Sequence, residues 1–282
     1  DFNNDGQIDL FFTANQKSNA LYLNRGGMHF EDVSAAAGIP TDTAWSTGVS
    51  VVDINSDGLL DLYICRVSNF LQLKGSNQLL VCTGIDAKGI PQYREQAADY
   101  GLNFSGFSTQ AAFLDYDADG DLDLFLLNHP VTHDGNYAPR SYFNGQADSL
   151  AGQRLYRNDR QANGQIRFTN VTISAGINGT RIGYGLGVAV ADINLDGWPD
   201  IYVGNDFHEN DYLYLNQRNG RFAEESTQRM GHTSQFSMGV DVADVNNDAR
   251  PDIISVDMLP YDPYMIRRSP SEDDYTIFQQ KL

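Results

Sequence analysis

Asp53-Ile54-Asn55-Ser56-Asp57-Gly58-Leu59-Leu60-Asp61 is the stretch that decides the fold, because it recurs. Written as D-x-[DN]-x-D-G-x-x-D, the string starts at Asp1, Asp53, Asp115 and Asp192, and in a degraded form at Asp244. The copies read DFNNDGQID, DINSDGLLD, DYDADGDLD, DINLDGWPD and DVNNDARPD, with starts 52, 62, 77 and 52 residues apart. Self-similarity at such a spacing marks a repeat architecture. A short β-type run follows each copy: Leu10-Phe11-Phe12, Leu62-Tyr63-Ile64, Leu124-Phe125-Leu126, Ile201-Tyr202-Val203 and Ile253-Ile254. Another precedes copies two to five, as in Gly48-Val49-Ser50-Val51-Val52 and Gly187-Val188-Ala189-Val190-Ala191.

The surroundings of the string repeat as well. A third run comes next, at Ala20-Leu21-Tyr22-Leu23-Asn24, Gln153-Arg154-Leu155-Tyr156-Arg157-Asn158 and Tyr212-Leu213-Tyr214-Leu215-Asn216. A fourth follows near Phe30-Glu31-Asp32-Val33, Tyr93-Arg94-Glu95, Phe168-Thr169-Asn170-Val171 and Phe222-Ala223-Glu224. Strand-length runs bounded by Gly, Asn and Asp predict an all-β chain, and no segment has a long helical period. Four short antiparallel strands per unit fit a propeller blade better than a solenoid rung. A β-sandwich would not repeat one loop at one place in each unit. The expected fold is a β-propeller arc of four to five blades over residues 1–282. Its parts are a partial blade at 1–47, blades at about 48–107, 108–183 and 184–236, and an incomplete one at 237–282. Exposed edge strands are expected at both ends.

The acidic residues explain themselves as ligands. Oxygens at positions 1, 3 and 5 of a tight loop converge on a point, and calcium takes six to eight such oxygens. Gly at position 6 permits the sharp turn, since the left-handed backbone region costs it little. The carbonyl of position 7 and the carboxylate of position 9 can complete the shell. The candidate ligands are therefore Asp1, Asn3, Asp5 and Asp9; Asp53, Asn55, Asp57 and Asp61; Asp115, Asp117, Asp119 and Asp123; Asp192, Asn194, Asp196 and Asp200; and Asp244, Asn246, Asp248 and Asp252. An EF-hand would need Glu at position 12. Phe12, Ile64, Leu126, Val203 and Ser255 stand there instead, so that motif is excluded. The third loop, with four carboxylates and Asp121 nearby, is expected to bind most tightly. The fifth, with Ala249 in place of Gly, is expected to bind most weakly or not at all.

Composition agrees. The 282 residues carry 37 acidic and 19 basic side chains, for a net charge of −18. Sixteen of the acids fall at ligand positions, and without them the net charge would be only −2. Crowding three or four carboxylates into nine residues is repulsive unless a cation sits among them. The same excess of acid disfavours nucleic acid as a partner. No run of eighteen apolar residues exists to span a membrane. Cys65 and Cys82, the two cysteines, either pair across neighbouring strands or remain two buried thiols. The chain opens at Asp1 without an initiator Met or an apolar leader and is expected to be an internal piece of a longer protein.

The five loops with their flanking strands resemble the FG-GAP/VCBS repeats of integrin-α-type β-propellers and of many bacterial surface proteins, over residues 1 to about 257. A finer resemblance lies in Asn205-Asp206-Phe207, in His232-Thr233-Ser234-Gln235-Phe236-Ser237-Met238-Gly239-Val240-Asp241 and in Asp257-Met258-Leu259-Pro260. These strings are similar to large bacterial proteins that pair such repeats with an ASPIC/UnbV domain, relatives of cartilage acidic protein. The resemblance implies a propeller, usually of seven blades, with Ca2+ in the loop between the first and second strands of a blade. Up to five such sites follow, with Ala249 placing the fifth in doubt.

The implied role is a calcium-binding module of a surface, secreted or periplasmic protein, with a protein or glycan ligand. The alternatives are a propeller-scaffold enzyme acting on polysaccharide and a purely structural spacer. No catalytic motif stands out. His129, His133 and Asp134 belong to a polar insertion after Leu127, in which Tyr137, Arg140, Tyr142 and Phe143 are of the types enriched at binding hot spots. His208, with Glu209 and Asp211, and His232 read as rim or structural residues. Ser271-Glu272-Asp273-Asp274-Tyr275 reads as an excursion between blades.

Overall fold

The structure is a computed structural model and describes residues 1–130, 148–161, 163–180, 182–206, 209–234, 236–258 and 262–266. Seventeen strands are present among them. They form five antiparallel sheets in chain order. The first has three strands, β1 (Leu10–Phe12), β2 (Ala20–Asn24) and β3 (Phe30–Asp32). The second has four, β4 (Trp45–Val52), β5 (Asp61–Val67), β6 (Gln78–Ile85) and β7 (Pro91–Glu95). The third comprises β8 (Ser108–Leu114), β9 (Asp123–Asn128), β10 (Arg154–Asn158) and β11 (Phe168–Asn170). The fourth comprises β12 (Tyr184–Ala191), β13 (Asp200–Asp206), β14 (Tyr212–Asn216) and β15 (Phe222–Glu224). The last pairs β16 (Ser237–Ala243) with β17 (Asp252–Asp257). Among the described residues, helix is confined to single turns at Ala97–Tyr100, Ser226–Arg229 and Pro263–Ile266. Sequential strands pair as meanders, which is the blade pattern the repeats predict.

Two compact units divide the chain. One holds residues 1–113, 121–126 and 156–170, and the other residues 114–120, 127–155 and 171–282. In the first unit β5 is buried at every position. Side chains alternate across a strand, so Leu62 and Ile64 join one core with Phe2, Leu21, Leu23, Val33, Leu80 and Cys82. Tyr63 and Cys65 face the other way, into a core with Leu79, Val81, Leu124, Leu126, Tyr156 and Phe168. A sheet covered on both faces explains why the run reads as continuously apolar. The same alternation settles the cysteines: Cys65 and Cys82 lie in different cores, both buried and both free.

The first strands of neighbouring sheets are stapled by hydroxyls. Thr47 Oγ1 donates to the carbonyl of Ser108 at 2.7 Å, and Ser50 Oγ to that of Ala111 at 2.6 Å. Gly48 makes room for this approach, since a Cβ there would lie 2.4 Å from the Thr109 carbonyl oxygen. In the second unit β13 is likewise buried throughout, and Tyr202, Leu213 and Leu215 form a core joined by Met230, Val240 and Ile253. A Cβ on Gly187 would lie 2.8 Å from the backbone nitrogen of Val240, so the same device recurs there.

Candidate metal centre

Each acidic string forms the loop that enters the second strand of a blade: Asp9 precedes β1, and Asp61, Asp123, Asp200 and Asp252 open β5, β9, β13 and β17. The position-1 carboxylate closes the turn on itself. It accepts the backbone N–H of position 5 and of position 6 in all five copies. The bonds are Asp5 and Gly6 to Asp1 at 3.0 and 2.8 Å, and Asp57 and Gly58 to Asp53 at 3.0 and 2.9 Å. Asp119 and Gly120 reach Asp115 at 3.1 Å each, Asp196 and Gly197 reach Asp192 at 2.8 and 2.7 Å, and Asp248 and Ala249 reach Asp244 at 3.1 and 2.8 Å. Position 6 is left-handed in every copy, with φ +85°, +84°, +93° and +88° for the glycines and +65° for Ala249. The fifth loop thus forms with the strain that Ala249 predicts.

Position 3 separates the loops chemically. In three of the four copies with Asn there, its amide Nδ2 donates to the position-5 carboxylate: Asn3 to Asp5 and Asn55 to Asp57 at 2.9 Å each, and Asn194 to Asp196 at 3.2 Å. The Asn3 hydrogen bond, followed by the Gln7 N–H, holds the Asp5 carboxyl below the usual carboxylate range. In the third loop Asp117 replaces that amide donor. Oxygens of Asp115, Asp117 and Asp123 there lie within 4.8 Å of one another, and no other cluster of this kind is found among the described residues. Three anionic oxygens at such spacing suit a hard divalent cation, which takes oxygens at 2.3–2.6 Å. In the fourth loop the Arg218 guanidinium stands 3.0 Å from Asp196 and already supplies a positive charge.

Position 9 is buried in the first four loops and ties them to the sheet. One oxygen of Asp61 accepts the N–H of Ile54 at 3.0 Å, and the other that of Cys82 on β6 at 2.7 Å. Asp9 does the same with Phe2 and Asn24 at 2.6 and 2.9 Å, and Asp200 with Ile193 and Asn216 at 3.0 and 2.8 Å. Asp123 accepts the N–H of Asn158 at 2.8 Å. Burial pushes Asp61 up to about 6 despite the two N–H donors, and the charges of Asp57 and Asp53 add to the rise. Burial raises Asp200 as well.

Two contributors escape a reading based on carboxylates alone. Position 4 is left-handed in every copy: Asn4, Ser56, Ala118, Leu195 and Asn247 have φ of 57–62°. Only Asn among these residues signals that conformation. The second is the Asn that ends the third strand. Asn24, Asn158 and Asn216 each turn the side-chain amide onto the position-8 carbonyl, of Ile8, Leu122 and Pro199, at 3.2, 3.3 and 3.3 Å. Their recurrence at the end of the Leu-Tyr-type run is the signal that could have found them.

The remaining candidates are dispersed. His129 packs edge-on to Tyr184 with ring centroids 5.1 Å apart. Asp211 is buried and accepts from Tyr202 Oη, the Asn205 N–H and Ser237 Oγ. His133, Asp134, Tyr137, Arg140, Tyr142, Phe143, Phe207, His208, Gln235, Leu259, Pro260 and the segment 271–275 lie outside the described residues.

Antiparallel meanders, each carrying the same self-closing acidic loop, define a repeat protein of the β-propeller class. Residues 1–64 and 192–255 match the FG-GAP-like repeat family, so the chain carries FG-GAP-like repeats over those segments. It is 39% identical to human integrin alpha-7 over 90 residues, which cover 27% of this chain and 8% of that protein. It is 38% identical to chicken integrin alpha-6 over 92 residues, covering 29% and 8%. With rat T-cell immunomodulatory protein it shares 29% identity over 107 residues, covering 38% and 16%. The chain therefore aligns with less than a fifth of the length of each of these relatives. No helix among the described residues is long and apolar enough to cross a membrane.

Proposed function

We propose that the chain is a calcium-binding propeller module that presents its loops to a protein or glycan partner outside the cytoplasm, as a binding or adhesion element. The observation that carries this reading is the shared loop geometry, which reaches its most acidic form in the third copy. The Asp and Asn at positions 1, 3, 5 and 9 of each loop would be the ligands. Calcium there would relieve carboxylate repulsion and fix the entry of each second strand, with blades bounded near residues 47, 107, 183 and 236. Extracellular modules bind calcium at roughly 10⁻⁴ to 10⁻³ M, which only an exterior compartment keeps filled.

The similarity to integrin alpha chains supports a recognition role without catalysis. So does the position of the carboxylates, because each position-1 group is bonded to backbone N–H groups of its own loop. Kinship with the ASPIC/UnbV-bearing group is part of the same proposal, carried by the strings at 205–207, 232–241 and 257–260. Thermal melting with calcium or with EDTA, at matched ionic strength, tests the cation's role. The expected result is a Tm several degrees lower in EDTA. An unchanged Tm overturns it.

A further inference from the structure

At the end of β4 and β5 remote from the acidic loop lies a cavity of about 380 Å³ lined by Asp42, Thr43, Ala44, Arg66, Gln72, Leu73 and Lys74. Its floor is an unusual group. Arg66 is 5% exposed, and its Nη2 meets the Asp42 carboxylate at 2.7 Å. Its Nε is buried and has no hydrogen-bond partner among the described residues. Ser46, directly opposite Arg66 in the β4–β5 register, also has a buried hydroxyl without a partner among the described residues. A guanidinium presents its donors as a rigid fork suited to carboxylates, and a buried donor left unmade costs its full desolvation. An acceptor entering the cavity would recover that cost.

The rim favours the same ligand. With Arg66 and Lys74 against Asp42, this is a positive pocket in a chain of net charge −18. The loop beside it is held in a costly shape. Asn69 and Leu71 are left-handed, at φ 60° and 53°, and such a backbone is strained for leucine. Asn69 Nδ2 is anchored to Ser105 Oγ at 2.8 Å, and that hydroxyl donates to the Gly75 carbonyl at 2.7 Å. The result is Leu71 held out at 87% exposure next to the cavity wall formed by Gln72, Leu73 and Lys74. Strain retained at a surface loop is a frequent mark of a site.

We infer that this cavity is a recognition site for an acidic peptide side chain, whose carboxylate accepts from Arg66 Nε and pairs with Lys74 while an adjacent apolar residue packs on Leu71. It deepens the binding-module reading by naming a ligand class, and it sits apart from the cation loops.

The test follows the Arg66 Nε–H resonance of the whole chain by NMR, in saturating calcium, during titration with N-acetyl-Leu-Asp-amide. A saturable shift is expected, with the Leu-Asn analogue binding at least about tenfold more weakly because the charge-assisted bond is lost. Asp42→Asn removes the internal competitor and should tighten binding, while Lys74→Ala should weaken it by about fivefold. Both positions are partly or fully exposed, so these variants stay informative even if Arg66→Lys fails to fold. No saturable shift, equal binding of the Asn analogue, or tighter binding of glucuronate than of the peptide overturns the assignment. A negative titration together with a Tm that still falls in EDTA would remove this pocket and leave the calcium reading standing.

Discussion

Asp117 shows how much one residue changes a loop. Four copies place Asn at position 3, and in three of them its amide hydrogens quiet the carboxylate at position 5; Asp117 offers only negative oxygens, so the third loop gains most from a cation. Calcium titration by calorimetry should therefore show a larger loss of affinity for Asp119→Ala than for Asp248→Ala. Replacing Ala249 by Gly should strengthen the fifth site and add about 1 kcal/mol of stability, because the left-handed turn at φ +65° becomes free of its Cβ penalty. Equal losses for the two Asp variants would remove the ranking of the loops. Proton linkage offers a second check. In calcium-free protein Asp61 titrates near 6, above its unfolded value of 3.8, so the folded state takes up a proton. Its stabilising contribution is complete below about pH 4 and is lost as pH rises through 6. Tm of the wild type minus that of Asp61→Asn should fall across this window in EDTA. In excess calcium the slope should reverse, since the cation competes with the proton for the same carboxylate.

At the scale of the strand, the first strand of a blade carries the least conspicuous design. Gly48, Gly187 and Gly239 each stand five residues before their loop and beside a shift in strand register, between Ser46 and Val49, Gly185 and Gly187, and Ser237 and Gly239. A bulge bends its strand and sharpens its twist. In β4 and β12 the missing side chain then lets the next first strand close in. Gly48→Ala should cost on the order of 1–3 kcal/mol, because the clash is with backbone, the Thr109 carbonyl, which has little room to give. Urea denaturation would measure it, with Gly58→Ala as the contrast. A Cβ added to Gly58 would meet nothing within 4 Å, but the residue has a φ of +84°, so its penalty is conformational and local to the loop. The strands themselves were legible because their apolar runs and Asp-Gly punctuation are local properties of the chain. The bulges were not, since a glycine in a strand announces them only when its neighbour in the next sheet is known. The Asn24, Asn158 and Asn216 clamps escaped for the same reason: their acceptors are carbonyls of position 8, a group that every residue type supplies.

For the molecule as a whole, the acid excess and the strand edges pull in different directions. Charge of −18 keeps copies apart at low salt, while β17 has β16 as its one partner among the described residues and turns Ile254 and Val256, 41% and 56% exposed, to one face. An unpaired edge of this kind is a template for another strand. Calcium would weaken the repulsion, five divalent ions adding ten positive charges to the −18. Self-association should therefore rise with calcium more than with sodium chloride at equal ionic strength. Light scattering coupled to size exclusion can follow it as a function of protein concentration. Lysines at Ile254 and Val256 should suppress the association, because charge on an edge blocks strand addition while the loop residues Asp244 and Asp248 stay in place. If the lysine variants associate as readily as the wild type, the contact lies elsewhere, and the apolar edge of the first sheet, where Leu10 and Phe12 are 38% and 52% exposed on β1, becomes the next to charge.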